Sequence, residues 1–430
     1  MAKKEFNKKV FAGKLVVIIL LGLVLGISCF FSSSIEKFLG IGDKQEAFVN
    51  SEVIAESDLS VHYIDVGQGD STLICLPDET TMLIDAGTAS SATHIVSYIK
   101  NLGIGMIDYF ILTHADADHV GGAVRVLEEF EIKTIFRPFQ ISLNSDGSLS
   151  DCEPLAEYIT LPNVVTSSTA TYIRTLEAVY LETYTENGAT YNSEVWVAYD
   201  GLTINSIKSS ATFNFEFFGP FIYSSTPFSS STQTTGYPTH YSSSNESNDA
   251  SPVMLLEYGT SSFLFTGDAC KGVETEVLNS LTESEKERFK NIDVFSAGHH
   301  GSRDSNGEEF LNFTTPNYVV VSCGEGNSYG HPHKEFLDIV NSYTHTASDY
   351  LLRTDKLGDI VFGFTTEGTL AYTANSSGDG GVTVYWWHIA LGTFIVLTIV
   401  VISVKVTTNK TATAKRAVSK TKKVVNKLKK

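Results

Sequence analysis

The sequence predicts an α/β fold of four layers, two packed sheets with helices on their outer faces. Two observations carry this expectation. Strand-like runs followed by strand–helix alternation occur twice, at residues 61–138 and 252–373, and two such halves bury their sheets best face to face. In addition, four metal-capable side chains, His114, Asp116, Asp118 and His119, crowd onto one strand-to-helix loop, where a rigid scaffold commonly presents ligands.

The elements follow in order. Residues 61–66 read as a strand, and Gly67-Gln68-Gly69-Asp70 as a tight turn whose glycines are free to take positive φ. Residues 71–76 form the return strand, and after Pro77-Asp78-Glu79 residues 81–84 form a third, ending at Asp85-Ala86-Gly87. Residues 94–102 read as a short helix. The apolar run 107–112 is a buried strand feeding the loop Thr113-His114-Ala115-Asp116-Ala117-Asp118-His119, and residues 120–130 carry a helical pattern with Leu127 and Phe130 on one side. After Pro138 the pattern loosens, with strand-like pieces at 194–198 and 213–217. Residues 223–251 contain 15 Ser or Thr, which marks a flexible stretch, so 139–251 reads as an insertion. Order returns with a hairpin, 253–257 and 263–266 around Gly259, ending at Thr266-Gly267-Asp268. Then come a helix at 273–281, strands at 292–296 and 318–322, a helix at 333–343 and a closing hairpin over 351–368 and 369–373.

The 430-residue chain is 42% hydrophobic, enough for a real core, and carries a net charge of −18. The charge is uneven. Residues 1–14 hold five Lys and one Glu, and residues 405–430 hold nine Lys and Arg416 with no acid, so the domain between them is strongly acidic. That argues against broad nonspecific adhesion to nucleic acid, while a local groove or a metal-mediated phosphate contact stays open. Both basic tails abut uncharged apolar runs, 15–35 and 382–404, each long enough to span a bilayer. Tyr385, Trp386 and Trp387 sit at one end of the second run as an interfacial belt would, and the positive-inside rule places both tails in the cytoplasm and residues 36–381 outside. The first run also fits a cleaved signal peptide, with the uncleaved anchor the favoured reading. Between the spans lie a polar linker, 36–57, the main domain, 58–373, and a Ser/Gly linker, 374–381. The five cysteines show no paired spacing and read as small apolar fillers.

The chemistry-bearing residues are His114, Asp116, Asp118, His119, Asp268, His299, His300, His331 and His333. One ion takes four to six ligands, so this set can serve two. The bland reading of Asp70 is a turn residue shaping a hairpin, and that of His333 a helix-start residue after Pro332.

Seven ordered stretches carry a resemblance. They are Asp65-Val66-Gly67-Gln68-Gly69-Asp70-Ser71, Leu83-Ile84-Asp85-Ala86-Gly87, the Thr113 to Gly122 loop, Phe265-Thr266-Gly267-Asp268, Gly298-His299-His300-Gly301-Ser302, Asn327-Ser328-Tyr329-Gly330-His331-Pro332, and Arg353-Thr354-Asp355 followed by Gly358-Asp359-Ile360. Over residues 61–373 the chain resembles the metallo-β-lactamase superfamily, and within it the extracellular metallo-hydrolase domain of the DNA-uptake protein ComEC. The resemblance implies a four-layer αββα metallo-β-lactamase-like sandwich flanked by two transmembrane helices, holding two divalent metal ions, zinc or manganese. It implies that His114 and Asp116 hold the first ion, that Asp118, His119 and His331 hold the second, and that Asp268 bridges them. Asp118, with His299 and His300, also counts among the implied catalytic residues. Asp85 and Asp70 are implied supports behind the ligands. His299 and His300 line the mouth as a proton donor or a ligand, and Ser302 and Arg303 are near enough in sequence to meet a phosphate.

Two departures matter. The family's usual signature is His-x-His-x-Asp-His, and here Asp116 stands at the second His, as in ComEC-like members. Three carboxylates leave two divalent ions one net positive charge, and harder oxygen ligands move the expected metal from zinc towards manganese. The family's lone histidine before the strand of the bridging aspartate is also missing, since that region reads Asn248-Asp249-Ala250-Ser251, which implies looser binding of one ion.

The implied function is a membrane-anchored, outward-facing phosphodiesterase or nuclease acting on DNA or another phosphodiester polymer through a metal-bound hydroxide. With two apolar spans instead of a multi-span channel region, a free-standing hydrolase is expected. One alternative is an esterase of phosphorylcholine or teichoic-acid type at the cell surface. A second is an inactive binding module on the same fold, against which the retained His114, Asp118, His119 and Asp268 argue.

Overall fold

The computed structural model describes residues 57–154, 165–208, 211–220, 247–342, 350–364 and 370–375. The first strands are β1 (Leu59–Tyr63), β2 (Thr72–Cys75), β3 (Thr81–Ile84), β4 (Met106–Ile111), β5 (Glu131–Arg137), β6 (Gln140–Ser142), β7 (Val165–Ser167), β8 (Thr183–Glu186), β9 (Ala189–Asn192) and β10 (Glu194–Val197). They are followed by β11 (Thr203–Asn205), β12 (Asn214–Phe217), β13 (Met254–Tyr258), β14 (Ser261–Phe265), β15 (Val294–Ser296), β16 (Tyr318–Val321), β17 (Leu351–Arg353), β18 (Asp359–Phe364) and β19 (Leu370–Asn375). One sheet has the order β10-β5-β4-β3-β2-β1-β18-β19 and the other β11-β12-β13-β14-β15-β16-β17.

Period-2 alternation assigns each strand's two faces. Val61, Ile74, Met82, Phe263, Phe265, Val294 and Val320 meet between the sheets in one apolar cluster. Their neighbours on the first sheet, Leu73, Leu83, Phe110 and Ile135, point the other way, against Ile95, Ile99, Val126 and Leu176 of the helices Ala92–Asn101, Ala123–Glu129 and Ala170–Leu181. On the second sheet Leu255, Leu264, Phe295 and Val319 face Val277, Phe310 and Phe336 of the helices Lys271–Ser280, Glu308–Thr314 and Lys334–Ser342. Helix, sheet, sheet and helix are therefore four layers with three apolar seams, as the sequence led one to expect.

The halves are not closed units. The expected closing hairpin over 351–373 divides: β17 pairs in parallel with β16 in the second sheet, while β18 and β19 cross to the first and β18 pairs antiparallel with β1. The short helix Thr354–Leu357 and Gly358, at φ +70°, supply the break. Residues 139–251 are likewise less separate than an insertion, because β10 extends the first sheet and β11 and β12 the second. The helix expected at 120–130 is two, Ala117–Val120 and Ala123–Glu129, interrupted at Gly121 and Gly122. A Cβ on Gly122 would strike the Ala86 carbonyl, so glycine lets this turn sit directly on the end of β3. β19 runs to Asn375, into the expected linker at 374–381.

No helix among the described residues is long and apolar enough to cross a membrane. The spans expected at 15–35 and 382–404, and both basic tails, lie outside the described residues, as does the Ser/Thr-rich stretch up to residue 246.

Candidate metal centre

The strand directions bring the site together. β3 and β4 run parallel in the first sheet, and β14, β15 and β16 run parallel in the second. Loops leaving the carboxyl ends of such strands share one edge, where open α/β sheets place their ligands. Asp85 follows β3, the His114–His119 loop follows β4, Asp268 follows β14, His299 and His300 follow β15, and His331 lies in the loop after β16.

Asp268 is the centre of the cluster and is 2% exposed. Its Oδ1 lies 3.2 Å from His119 Nε2, and its Oδ2 lies 3.6 Å from His114 Nε2, 3.7 Å from His299 Nε2 and 3.9 Å from His300 Nε2. Asp116 Oδ2 is 3.8 Å from His114 Nε2, and Asp118 Oδ2 is 3.4 Å from His300 Nε2. Asp70 approaches from the Gly67–Asp70 turn, with Oδ2 3.7 Å from His300 Nδ1, and Asp70, His119, Asp268 and His300 each offer a ligand atom within 4.8 Å of the others. Gly69 makes that approach possible: its φ is +150°, and a Cβ there would strike the Asp118 carbonyl that accepts the Asp70 N–H.

Hydrogen bonds behind the cluster fix which ring atoms face it. Asp85, fully buried, accepts from Thr113 N at 2.8 Å and Thr113 Oγ1 at 2.6 Å, and pairs with His119 Nδ1 at 2.7 Å. A carboxylate only accepts, so Nδ1 carries a proton and Nε2 is the ring atom that faces Asp268. His300 Nδ1 lies 3.0 Å from the Ser322 carbonyl, which likewise leaves Nε2 for the cluster. His114 Nδ1 contacts Thr113 Oγ1 at 3.0 Å and Ser251 Oγ at 3.2 Å, and Ser251 Oγ also accepts the Asp268 N–H. Asn248 Nδ2 meets His299 Nδ1 at 3.1 Å, and Ser247 Oγ donates to Asp116 Oδ1 at 2.6 Å. The segment that lacks the expected histidine thus supports three of the candidate ligands, and its last residues are buried, in contrast to the flexible reading.

The charges are interlocked. Burial pushes the Asp268 carboxyl up, but His119, His300, His299 and His114 overcome it and hold it well below the usual carboxylate range. Burial lowers His119, yet Asp268 and Asp85 raise it far above an ordinary histidine, and Asp268, Asp118 and Asp70 raise His300 to about 9 against the same burial. His114 is depressed by burial and by His119. Protons on His119 and His300 therefore supply the positive charge that these carboxylates require. Even so, His114 Nε2, His119 Nε2, His300 Nε2 and Asp268 Oδ1 are buried without a well-formed hydrogen bond. Buried polar atoms are rarely left so. His119, His300 and Asp268 offer ligand atoms within 4.8 Å of one another and of one from Asp70, with His114 Nε2 on the other oxygen of Asp268 at 3.6 Å. This arrangement fits cations, and the donor set, imidazole nitrogen and carboxylate oxygen, suits zinc or manganese.

His331 stands one ring further out, 5.2 Å from His299 and 5.9 Å from His300 between centroids. Gln68 Oε1 accepts the Gly324 N–H at 3.2 Å, which turns its amide nitrogen towards His331 Nδ1 at 3.4 Å. An amide donor at Nδ1 leaves the proton of the neutral ring on Nε2. The ring is neutral because burial, then His300, His299 and His333, lower it to about 4. His333 itself accepts the Arg303 N–H at 3.0 Å. Ser302 is buried with its hydroxyl accepting the Asp304 N–H at 3.2 Å, and the exposed Arg303 guanidinium pairs with Glu335 at 3.0 Å.

Gln68, Gln140, Ser247, Asn248, Ser251 and Ser322 were not foreseen as site residues. Gln68 had the strongest signal, a polar side chain between two glycines inside a quoted motif.

The metallo-β-lactamase superfamily signature matches residues 64–142. ComE operon protein 3 of Bacillus subtilis is 28% identical over 325 residues, 71% of this chain and 33% of that protein. Competence protein ComA of Neisseria gonorrhoeae is 26% identical over 322 residues, 74% of this chain and 34% of that protein. Recombination protein 2 of Haemophilus influenzae is 24% identical over 290 residues, 66% of this chain and 26% of that protein. The chain spans about a third of the length of the first two curated relatives. These matches bear out the ComEC-like resemblance drawn from the motifs.

Proposed function

We propose that this metallo-β-lactamase-fold relative of the competence proteins is a metal-dependent phosphodiesterase whose substrate class is DNA, anchored to the membrane with its catalytic domain outside. The observation that carries the reading is the convergence of buried, unpartnered Nε2 atoms of His114, His119 and His300 on the Asp268 carboxylate. In this reading His114, Asp116, His299 and Asp268 hold one divalent ion, and Asp118, His119, His300 and Asp268 hold a second. His299, steadied by Asn248, takes the place of the histidine missing from 248–251. When bound, such ions lower the pKa of a water and neutralise charge building on a phosphoryl group. The similarity to competence proteins favours DNA over a choline or teichoic-acid substrate.

The chain's own residues do the rest. Asp85 and the Ser322 carbonyl keep the ring protons of His119 and His300 on Nδ1, away from the ligand side. His331, with its proton on Nε2 and its ring at the edge of the cluster, donates a hydrogen bond to the leaving oxygen, which then takes its proton from solvent water. This assigns His331 to leaving-group stabilisation where the sequence resemblance implied a ligand.

The test is to load the complete chain with Mn²⁺ or Zn²⁺ and assay single-stranded DNA, double-stranded DNA and bis-p-nitrophenyl phosphate, with Asp118→Ala as control. DNA cleavage that the substitution abolishes is the expected result. Turnover of the small diester with DNA left intact would move the assignment to a surface esterase, and no turnover with either metal would leave the binding module. His331→Phe, which keeps a ring and removes the donor, is expected to slow DNA cleavage far more than hydrolysis of the nitrophenyl diester, whose stable leaving anion needs no such hydrogen bond. Equal slowing of both would remove the leaving-group role.

A further inference from the structure

Tyr329 is a large aromatic side chain left 64% exposed beside a buried polar centre. Its ring lies nearly parallel to the His331 imidazole, at 22° and 5.7 Å between centroids. His331 in turn sits against His299 and His300, so the Tyr329 ring is two rings from the Asp268 cluster. The backbone holds it there. Asn327 Nδ2 donates to the carbonyls of Gly324 and His331, and its Oδ1 accepts the His331 N–H at 3.0 Å. One face of Tyr329 is covered by His331, and among the described residues no other ring stacks on it.

An exposed ring pinned in a tight loop and already stacked on one side offers a planar surface to a second planar group. Single strands are bound through such platforms, because every base has a π-face, whereas a paired base has both faces occupied by its neighbours. The acidic composition of the domain makes a long electrostatic track a poor source of affinity, which leaves contacts of this kind to hold a strand.

We propose that Tyr329 and His331 form a base-stacking subsite, in which the nucleobase adjoining the scissile phosphodiester of a single strand lies on the free face of Tyr329. The subsite takes its substrate class from the phosphodiesterase reading, but it is tested by binding and so stands or falls separately from turnover. It confers a preference for single strands and for nucleotides over abasic diesters.

The experiment measures equilibrium binding of two fluorescently labelled strands of equal length to the complete chain, oligothymidylate and its abasic analogue. Wild type is expected to bind oligothymidylate about tenfold more tightly than the abasic strand. Tyr329→Ala is expected to remove that difference without weakening abasic binding, and Tyr329→Trp to keep it. Equal binding of both strands by wild type, or a difference that survives Tyr329→Ala, would overturn the subsite. Base-dependent binding without cleavage would retain the subsite and overturn the nuclease. Cleavage lost in Asp118→Ala with no base dependence would do the reverse.

Discussion

Asp85 shows how one residue sets the chemistry of another. It is buried at φ +57°, a region that non-glycine residues seldom occupy, and its carboxylate makes three polar contacts, two to Thr113 and one to His119. An Asn in its place would confront one of the donors with an amide NH₂ and would lose hold of the His119 tautomer. Asp85→Asn is expected to lower metal affinity by about 10–100-fold, read by isothermal titration of the metal-free protein with Mn²⁺ or Zn²⁺. Unchanged affinity would show that His119 is oriented by something else. Asp85 was legible in the sequence because it ends a strand inside a recognisable motif. Gln68, Asn248 and Ser251 were not, since their histidine partners lie 263, 51 and 137 residues away and no local pattern announces such a contact.

At the scale of elements, the loop after β15 carries the most strain. His299 and His300 both lie in the left-handed region, at φ +50° and +54°, a conformation that persists only where the surroundings over-determine it. Asn306 does this by accepting the Gly298 N–H at 2.8 Å and donating to the Gly298 and Ser302 carbonyls. Glu274, from the first turn of the helix Lys271–Ser280, accepts the N–H groups of Asn306 and Gly307 at 2.6 and 2.7 Å. Burial raises its carboxyl from 4.5 to about 7 against those two bonds. The native state therefore holds this proton at pH values where the unfolded chain has released it. Stability from this group is greatest below 4.5 and declines as pH rises to about 7, by on the order of 3 kcal/mol. Glu274→Gln is expected to flatten that decline in urea unfolding compared at the two ends of the window. A slope equal to that of wild type would dismiss Glu274 as its source.

Across the whole molecule, a buried ion pair ties the 139–251 segment to the site. Arg137, fully buried at the end of β5, reaches Glu153 with Nη1 at 3.0 Å and Nη2 at 3.2 Å, while Tyr172 and Arg137 both donate to the Gln140 carbonyl. The Gln140 side chain then accepts the Ala115 N–H at 2.7 Å and donates to Ser247 Oγ, which holds Asp116. Glu153→Ala leaves a buried guanidinium without its counter-charge and is expected to cost about 3–5 kcal/mol in urea unfolding, whereas Arg137→Met with Glu153→Leu is expected to cost less, keeping only the loss of the acceptor that Glu153 Oε2 gives the Ser142 N–H at 2.7 Å. A small effect of the single substitution would mean that water reaches the arginine. The helix Ala170–Leu181, which buries Tyr172, Leu176 and Val179, escaped the sequence reading because its apolar stripe is short and lies amid loosely patterned chain.

The sequence by itself determined the alternation that assigns each strand's two faces, and with it the four layers, the strand ends that carry Asp85, His114, His119 and Asp268, and the glycines that let loops close on them. These follow from periodicity and local backbone freedom, which neighbouring residues specify. Tertiary structure alone decided that β18 and β19 cross to the first sheet, that 139–251 supplies edge strands to both, and that Asn248 steadies His299 while Gln68 sets the His331 proton. Each of these depends on which distant groups share a buried space, and there the requirement that polar atoms find partners, not any local propensity, selects the arrangement.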